Sequence, residues 1–431
     1  MKKGPQRYFL LLLLFFSSTF LLFPVFHHER LIIVYSIAYI VTSILFVGIS
    51  VFILRYDVPS KYVIGLVALG VVLRLAMIPI HPSGSDDYYR YVWDGKVMAN
   101  GINPYRYAPD DPALARLHTD VLPSRVNFPD MKTIYPPVAE IIFYISYIIG
   151  GDNYVSVKLI LFVFDLLSMF GIYQVLKKTG LDRKNILLYA LCPLPMFQFF
   201  VDAHVDGFGL PLLVFALLFY VDGKKALSYL FVGLSICVKP LGLILIPIMF
   251  LNERSLAERI KSVAIPALVC LALYVPFMFS GTPFQALMKF TENWTFNGVV
   301  FDILDSFIHD NQRSRLACAA LLFVFYLPVI LSRKDFLTKV YLSVFMLFIF
   351  SPVVHPWYLS WLAIILPLIP RWSGITYVGL VSLTAFTILN YQLTGVWKEY
   401  PAAVLAEYIP VLALFAYEFV RSERHPANRQ T

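Results

Sequence analysis

His81–Pro104 reads HPSGSDDYYRYVWDGKVMANGINP and sets two adjacent aspartates, an arginine and a run of aromatic rings beside sequence built for lipid. Apolar runs of roughly 15–24 residues recur from end to end of the chain, and a membrane-spanning helix needs about 20. With 59% hydrophobic and 14% charged residues over 431 positions, and a mean hydropathy of +0.72, the chain would expose too much apolar surface to stay in water. The composition predicts an all-α polytopic membrane protein and excludes a soluble helical domain. A polar cluster at the edge of such a bundle is where chemistry is expected.

Working outward, MKKGPQR precedes an apolar run from Tyr8 to about Phe26 that ends in FHHER without a small-residue cleavage site. It reads as an uncleaved first span. The four cysteines, Cys192, Cys237, Cys270 and Cys318, lie in or at the edge of apolar runs, which argues against a disulfide framework or a thiolate metal site. The net charge of +8 is spread over many short loops rather than gathered in a patch, so it indicates topology and not nucleic acid.

Spans are predicted at 8–26, 31–54, 62–80, 154–176, 185–201, 207–221, 226–238, 240–252, 262–280, 316–331, 336–352, 357–370, 373–391 and 402–420. With a cytoplasmic N-terminus, the basic short loops around Arg55, Lys177, Lys224, Arg254, Arg333 and Arg371 and the C-terminal tail all fall inside. The bundle is therefore expected to hold about 12–14 transmembrane helices with both termini cytoplasmic. Pro136–Gly150, PPVAEIIFYISYIIG, is short, opens on two prolines and would invert the basic loops if it crossed, so it is predicted to be interfacial or re-entrant. The Lys239–Pro240 break makes 226–252 either two half-depth helices or one kinked span. The expected organisation is two N-terminal spans (1–61), a transmembrane catalytic region (62–420) with external loops at 81–153 and 281–315, and a tail (421–431) read as disordered.

The non-cytoplasmic face then collects the acids, histidines, tryptophans and tyrosines, in both loops and in the turns DAHVD (202–206), VVHPWY (353–358) and 392–401. In the first loop, Ser85 is placed to cap a helix whose first turn holds Asp86 and Asp87, and Asn100–Gly101 stops it. On that helix Asp87, Arg90 or Tyr91, and Asp94 share a side, leaving Trp93 and Val97 to face the membrane interface. In the second loop, Asp302, Asp305, His309 and Asp310 have helix-like spacing and read as a solvated face, with acceptor binding as the sharper option. The Asn293-Trp294-Thr295 sequon there is incidental.

The acidic pair, the Tyr-Arg-Tyr-x-Trp-Asp-Gly that follows, Gly101–Tyr105 (GINPY) and Tyr135–Pro137 (YPP) together resemble the GT-C superfamily of membrane glycosyltransferases, especially the bacterial mannosyltransferase-like branches that use polyprenyl-phosphate sugars. His204–Asp206, Val238–Pro240 and His355–Tyr358 extend the resemblance over roughly residues 60–420. It implies a GT-C-like bundle transferring a hexose, mannose favoured, from a polyprenyl-phosphate donor to a glycan, glycolipid or other hydroxyl acceptor, in the inner membrane with the site on the external face. The two spans before residue 60 look like an addition to that scheme, and their role is left open.

The chemistry agrees. Such a donor needs no nucleotide, so the absence of a Gly-rich phosphate loop is no objection. The reaction needs a base for the acceptor hydroxyl and cations for the departing phosphate. The base is assigned to the Asp86/Asp87 pair, leaning to Asp86. Phosphate candidates are Lys239, Arg90, His204 and His355; Asp206, Trp357 and Tyr135 complete the expected substrate contacts. No cofactor is expected; a divalent metal among Asp86, Asp87, Asp202, His204, Asp206 and His355 is the less favoured variant. A lipid or solute transporter is the alternative function, disfavoured because the polar residues gather on one face and no internal repeat stands out. A non-catalytic scaffold would have no need of acids beside the bilayer.

Overall fold

In the computed structural model, residues 3–20 and 31–424 are described, the side chains of 3–7 and 422–424 excepted. The chain is helical, and its one extended pairing among these residues is an isolated parallel bridge between Phe296 and Val353. The first helices are α1 (Lys3–Phe20), α2 (Leu31–Arg55), α3 (Ser60–Met77), α4 (Asp87–Ala99), α5 (Pro137–Gly150) and α6 (Tyr154–Thr179). Among the described residues seven helices are long and apolar enough to cross a membrane, or eight if the bent pair Arg183–Ala190 and Pro193–Val201 is one span. Shorter apolar helices at Tyr8–Phe20, Asp206–Val221, Lys225–Ile236, Pro240–Asn252 and Phe336–Ile349 fill in most of the remaining predicted spans. The end of the first predicted span, 21–26, and most of the tail, 425–431, lie outside the described residues; 422–424 continue the last helix.

One predicted span is overturned. Residues 357–370 form a 3-10 turn (Pro356–Leu359), one α turn (Ser360–Ala363) and further turns, nearly all buried within the bundle. Irregular backbone is tolerated at such depth when protein, not lipid, surrounds it. Hydropathy reads the two cases alike.

The bent pair shows how the bundle accommodates a break. Arg74 of α3 donates to the carbonyls of Ala190 (2.6 Å) and Tyr189 (3.1 Å), and its guanidinium pairs with Asp165 of α6 at 2.8 Å, both side chains fully buried. Pro193 brings no N–H to the break, and the arginine supplies donors there. Asp165 also accepts from the Tyr189 hydroxyl at 2.7 Å, so the buried charge is paired and hydrogen-bonded.

The first loop builds a small core of its own. Val92, Trp93 and Val97 of α4 pack on Leu114, Leu117, Leu122 and Val126. Trp93, predicted to face the membrane interface with Val97, is instead covered by this lid at 1% exposure. The sequence shows an apolar stripe on α4 but not what lies over it. Leu114→Ala is expected to cost ~2–3 kcal/mol by opening this core, and limited proteolysis of the loop should accelerate while the transmembrane helices stay protected. On its other side α4 lies along α5, whose Ile145, Ile148 and Ile149 are exposed, consistent with the interfacial reading of α5.

Candidate active site

α4 starts one residue later than predicted. Asp86 occupies the N-cap without a capping bond from its side chain, and the Ser85 hydroxyl accepts from the Asp87 N–H at 3.2 Å. The two carboxyls therefore diverge. Asp86 is in the field of Arg125 of the loop, whereas Asp87 turns into the bundle and comes within 3.6 Å of His204 Nδ1.

His204 is delivered by the DAHVD turn. Ala203 takes a left-handed φ of 64°, so the residues on either side of it find different partners. Asp202 receives the N–H groups of Ser83 (3.2 Å) and Gly84 (2.8 Å), while His204 goes to Asp87. His204 stacks on Trp357 at 3.6 Å between centroids, Trp357 stacks on His355 at 4.3 Å, and His355 Nε2 accepts from Trp294 at 3.1 Å. The Phe296–Val353 bridge ties the second loop to this turn.

Asp206 and Lys239 form the charged centre beside it. The ammonium meets both Asp206 oxygens at 2.7 and 2.8 Å and lies 3.6 Å from the centroid of the Tyr358 ring. Trp361 donates to Asp206 at 2.8 Å, reaching it over Gly209, where a Cβ would fall 2.5 Å from the indole. The Lys239–Pro240 break is fixed from outside, since the Val138 N–H at the start of α5 bonds the Cys237 carbonyl at 2.9 Å. Cys237 and Cys270 are free thiols with their sulfurs 3.6 Å apart.

The motifs quoted for the family resemblance meet one another. The Tyr105 hydroxyl of GINPY bonds the carbonyl of Tyr135 at 2.6 Å, and Tyr135 stands edge-on to Tyr91 at 5.3 Å. Burial, and then the Asp87 charge, keep its phenol protonated. Arg90 is less free than predicted: Nε is held by both Asp94 oxygens (2.9 and 3.0 Å) and one terminal nitrogen by the Met131 carbonyl (2.9 Å). Its buried Nη2 has no hydrogen-bond partner.

Burial raises the Asp87 pKa to about 6, with Asp86 and Asp206 adding repulsion and Asn127 and Lys239 opposing it. Burial also raises Asp86, with Arg125 opposing. His355 falls to about 3 through burial and the nearby Lys239, and His204 is lowered for the same reasons, so both imidazoles are neutral. His204 is fully buried, and neither ring nitrogen has a hydrogen-bond partner. Among the described residues no three His, Cys, Asp or Glu side chains are grouped to hold a metal ion.

Asp87, His204, Asp206, Lys239, His355, Trp357 and Tyr135 thus gather, with Asp86 at the rim and Arg90 held by Asp94 and Met131 where its charge reaches Tyr135. Asp302 and Asp305 stay on the second-loop helix Val299–Ile308, and Asp310 caps the next helix by accepting from the Arg313 N–H at 3.0 Å. Sequence reasoning passed over Trp361, which recurs one turn after Trp357, and Trp294. It also missed Asn127, whose amide lies 3.5 Å from Asp87 and which nothing in its surrounding residues marks.

No curated protein matches the chain. Among solved structures it is similar to the crystal structure of ArnT from Cupriavidus metallidurans bound to undecaprenyl phosphate, at 15% identity over 87% of this chain and 67% of that one, with a TM-score of 0.48. The family model described as alpha-(1->6)-mannopyranosyltransferase, N-terminal domain, matches residues 17–253, more than half of the chain. That stretch carries Asp86, Asp87, Arg90, Tyr135, His204, Asp206 and Lys239, and leaves His355 and Trp357 beyond it. On this match the chain belongs to the MptA_B family of alpha-(1->6)-mannopyranosyltransferases and is a multi-pass membrane glycosyltransferase.

Proposed function

We propose that the enzyme transfers mannose from a polyprenyl-phosphate donor to a glycan or glycolipid hydroxyl at the non-cytoplasmic face, with inversion, and that Asp87 is the general base. The observation that carries this reading is the convergence of one high-pKa carboxylate, Asp87, with a partly buried lysine, Lys239, paired to the fully buried Asp206 at the polar end of an apolar bundle. A base with a pKa near the working pH is well matched to taking a hydroxyl proton as the sugar bond forms. Lys239, oriented by Asp206, Trp361 and Tyr358, supplies the cation for the leaving phosphate.

The acceptor oxygen attacks the anomeric carbon from the face opposite the phosphate while its proton passes to Asp87. The sugar–phosphate bond breaks, and the polyprenyl phosphate leaves with the electron pair. Inversion of a β-linked donor yields the α linkage that the family description names, and a 1→6 bond to mannose is the proposed product. The undecaprenyl phosphate bound in ArnT supports a polyprenyl carrier, and the basic short loops support cytoplasmic termini. The electrostatics come from the chain's own groups, so metal is not required.

The test supplies purified enzyme with polyprenyl-phosphate mannose or with a nucleotide mannose, each with and without EDTA. Transfer from the lipid donor alone, undiminished by EDTA, is expected; transfer from the nucleotide sugar, or loss with EDTA, contradicts the reading. The pH dependence follows from the ionised form being the active one. kcat/KM should be flat above the Asp87 pKa of about 6 and drop about tenfold per unit below it. A flat profile from pH 4.5 to 8 would remove Asp87 as the base.

A further inference from the structure

We infer that Asp202, backed by Tyr35 of α2, is a positioning residue that holds the segment before α4 so that Asp87 is aimed at the reacting hydroxyl; this rests on the reading of Asp87 as base.

The segment Pro79–Gly84 has no regular structure of its own, yet nearly every residue in it is tied down. The Pro79 carbonyl accepts from the Tyr154 hydroxyl at 3.2 Å, and the Ile80 carbonyl from the ammonium of Lys158. His81 Nε2 meets the Tyr88 hydroxyl at 3.2 Å. The N–H groups of Ser83 and Gly84 both point at a single oxygen, Asp202 Oδ1, at 3.2 and 2.8 Å. Asp202 is fully buried, and its other oxygen lies against Tyr35. A Cβ on Gly84 would fall 2.6 Å from Asp202 Oδ2 and 2.7 Å from the Tyr35 hydroxyl. Tyr35 accepts in turn from Gln198 Nε2 at 3.0 Å, in the arm of the bent pair that leads into DAHVD.

The carboxylate that ends this arm therefore grips the backbone three and four residues ahead of the base, and the same turn presents His204 to Asp87. Both sides of the site are referenced to one residue. The arrangement also gives α2, which lies within the family match, a part in the site, since it closes the network through Tyr35. Position matters because a displacement of about 1 Å costs roughly 10²-fold in rate.

The test compares Asp202→Ala, Asp202→Asn and Tyr35→Phe with wild type in lipid-donor mannose transfer, reading kcat, donor KM and thermal midpoint, with Asp87→Asn alongside. Asp202→Ala is expected to lose about 30–100-fold in kcat with donor KM within about threefold. Asp202→Asn keeps an acceptor oxygen for the two N–H groups and should recover at least about tenfold of that loss. Tyr35→Phe, which leaves the packing intact, should lose about three- to tenfold in kcat alone. Unchanged kcat in folded Asp202→Ala or in Tyr35→Phe overturns the inference, as does an asparagine variant no better than the alanine one. If Asp87→Asn is inactive and Asp202→Ala is normal, positioning alone fails; if Asp87→Asn transfers normally, the reading of the site fails and this inference with it.

Discussion

Asp87→Asn is expected to lower mannose transfer by ~10²–10⁴-fold, the range that a positioned general base supplies. The substitution preserves shape and the contacts to His204 and Asn127 while removing the ionised form. The fold should not suffer. Burial raises the Asp87 pKa above its unfolded value, so the folded state resists ionisation of this group. Near neutral pH, above the raised value, that penalty is present in full; it starts to shrink as pH falls through the folded pKa and is gone below the unfolded value of 3.8. A neutral amide avoids the penalty, and the thermal midpoint of Asp87→Asn should equal or exceed that of wild type. Asp86→Asn, at the rim in the field of Arg125, should lose no more than about tenfold, ~1.4 kcal/mol of barrier. Equal losses in the two variants would return the base to the pair as a whole.

Lys239→Met carries the second large effect, and it acts on stability and chemistry together. Removing the ammonium leaves Asp206 without its partner at a site with no solvent exposure, a change that costs ~3–5 kcal/mol. It also removes the cation proposed for the phosphate. The two effects separate in the double variant Lys239→Met/Asp206→Asn, in which no charge is stranded and Trp361 can still donate to the amide oxygen. Its thermal midpoint should return to within a few degrees of wild type, while transfer stays depressed by at least about 10²-fold. A double variant that is both stable and active would make the pair purely structural.

Much of this was legible because lipid imposes a simple code. The composition and the apolar runs predicted the helical membrane class. Where the code failed, the reason is physical. Residues 357–370 are as apolar as a span because they are buried in protein, and hydropathy does not distinguish protein from lipid. Trp93 looked like an interface anchor because its cover, Leu114 to Val126, comes from a loop whose folding leaves no periodic trace. The site was visible as residue types on one predicted face, and DAHVD and HPWY proved to be neighbours through the His204–Trp357–His355 stack. The division of labour between Asp86 and Asp87 was not visible. It depends on α4 beginning at Asp87 rather than at Asp86, which leaves Asp86 on non-helical backbone at the N-cap, φ −96° and ψ 2°. Asn127 and the left-handed Ala203 had no sequence signal at all.

The central claim is that Asp87 drives sugar transfer from a polyprenyl-phosphate donor, and single-turnover transfer of radiolabelled mannose from synthetic polyprenyl-phosphate mannose to a membrane extract tests it most directly. Labelled product from the purified wild type, with none above background from well-folded Asp87→Asn, is the predicted result. Transfer by Asp87→Asn at the wild-type rate, or no transfer by wild type from any polyprenyl-phosphate hexose, would contradict it.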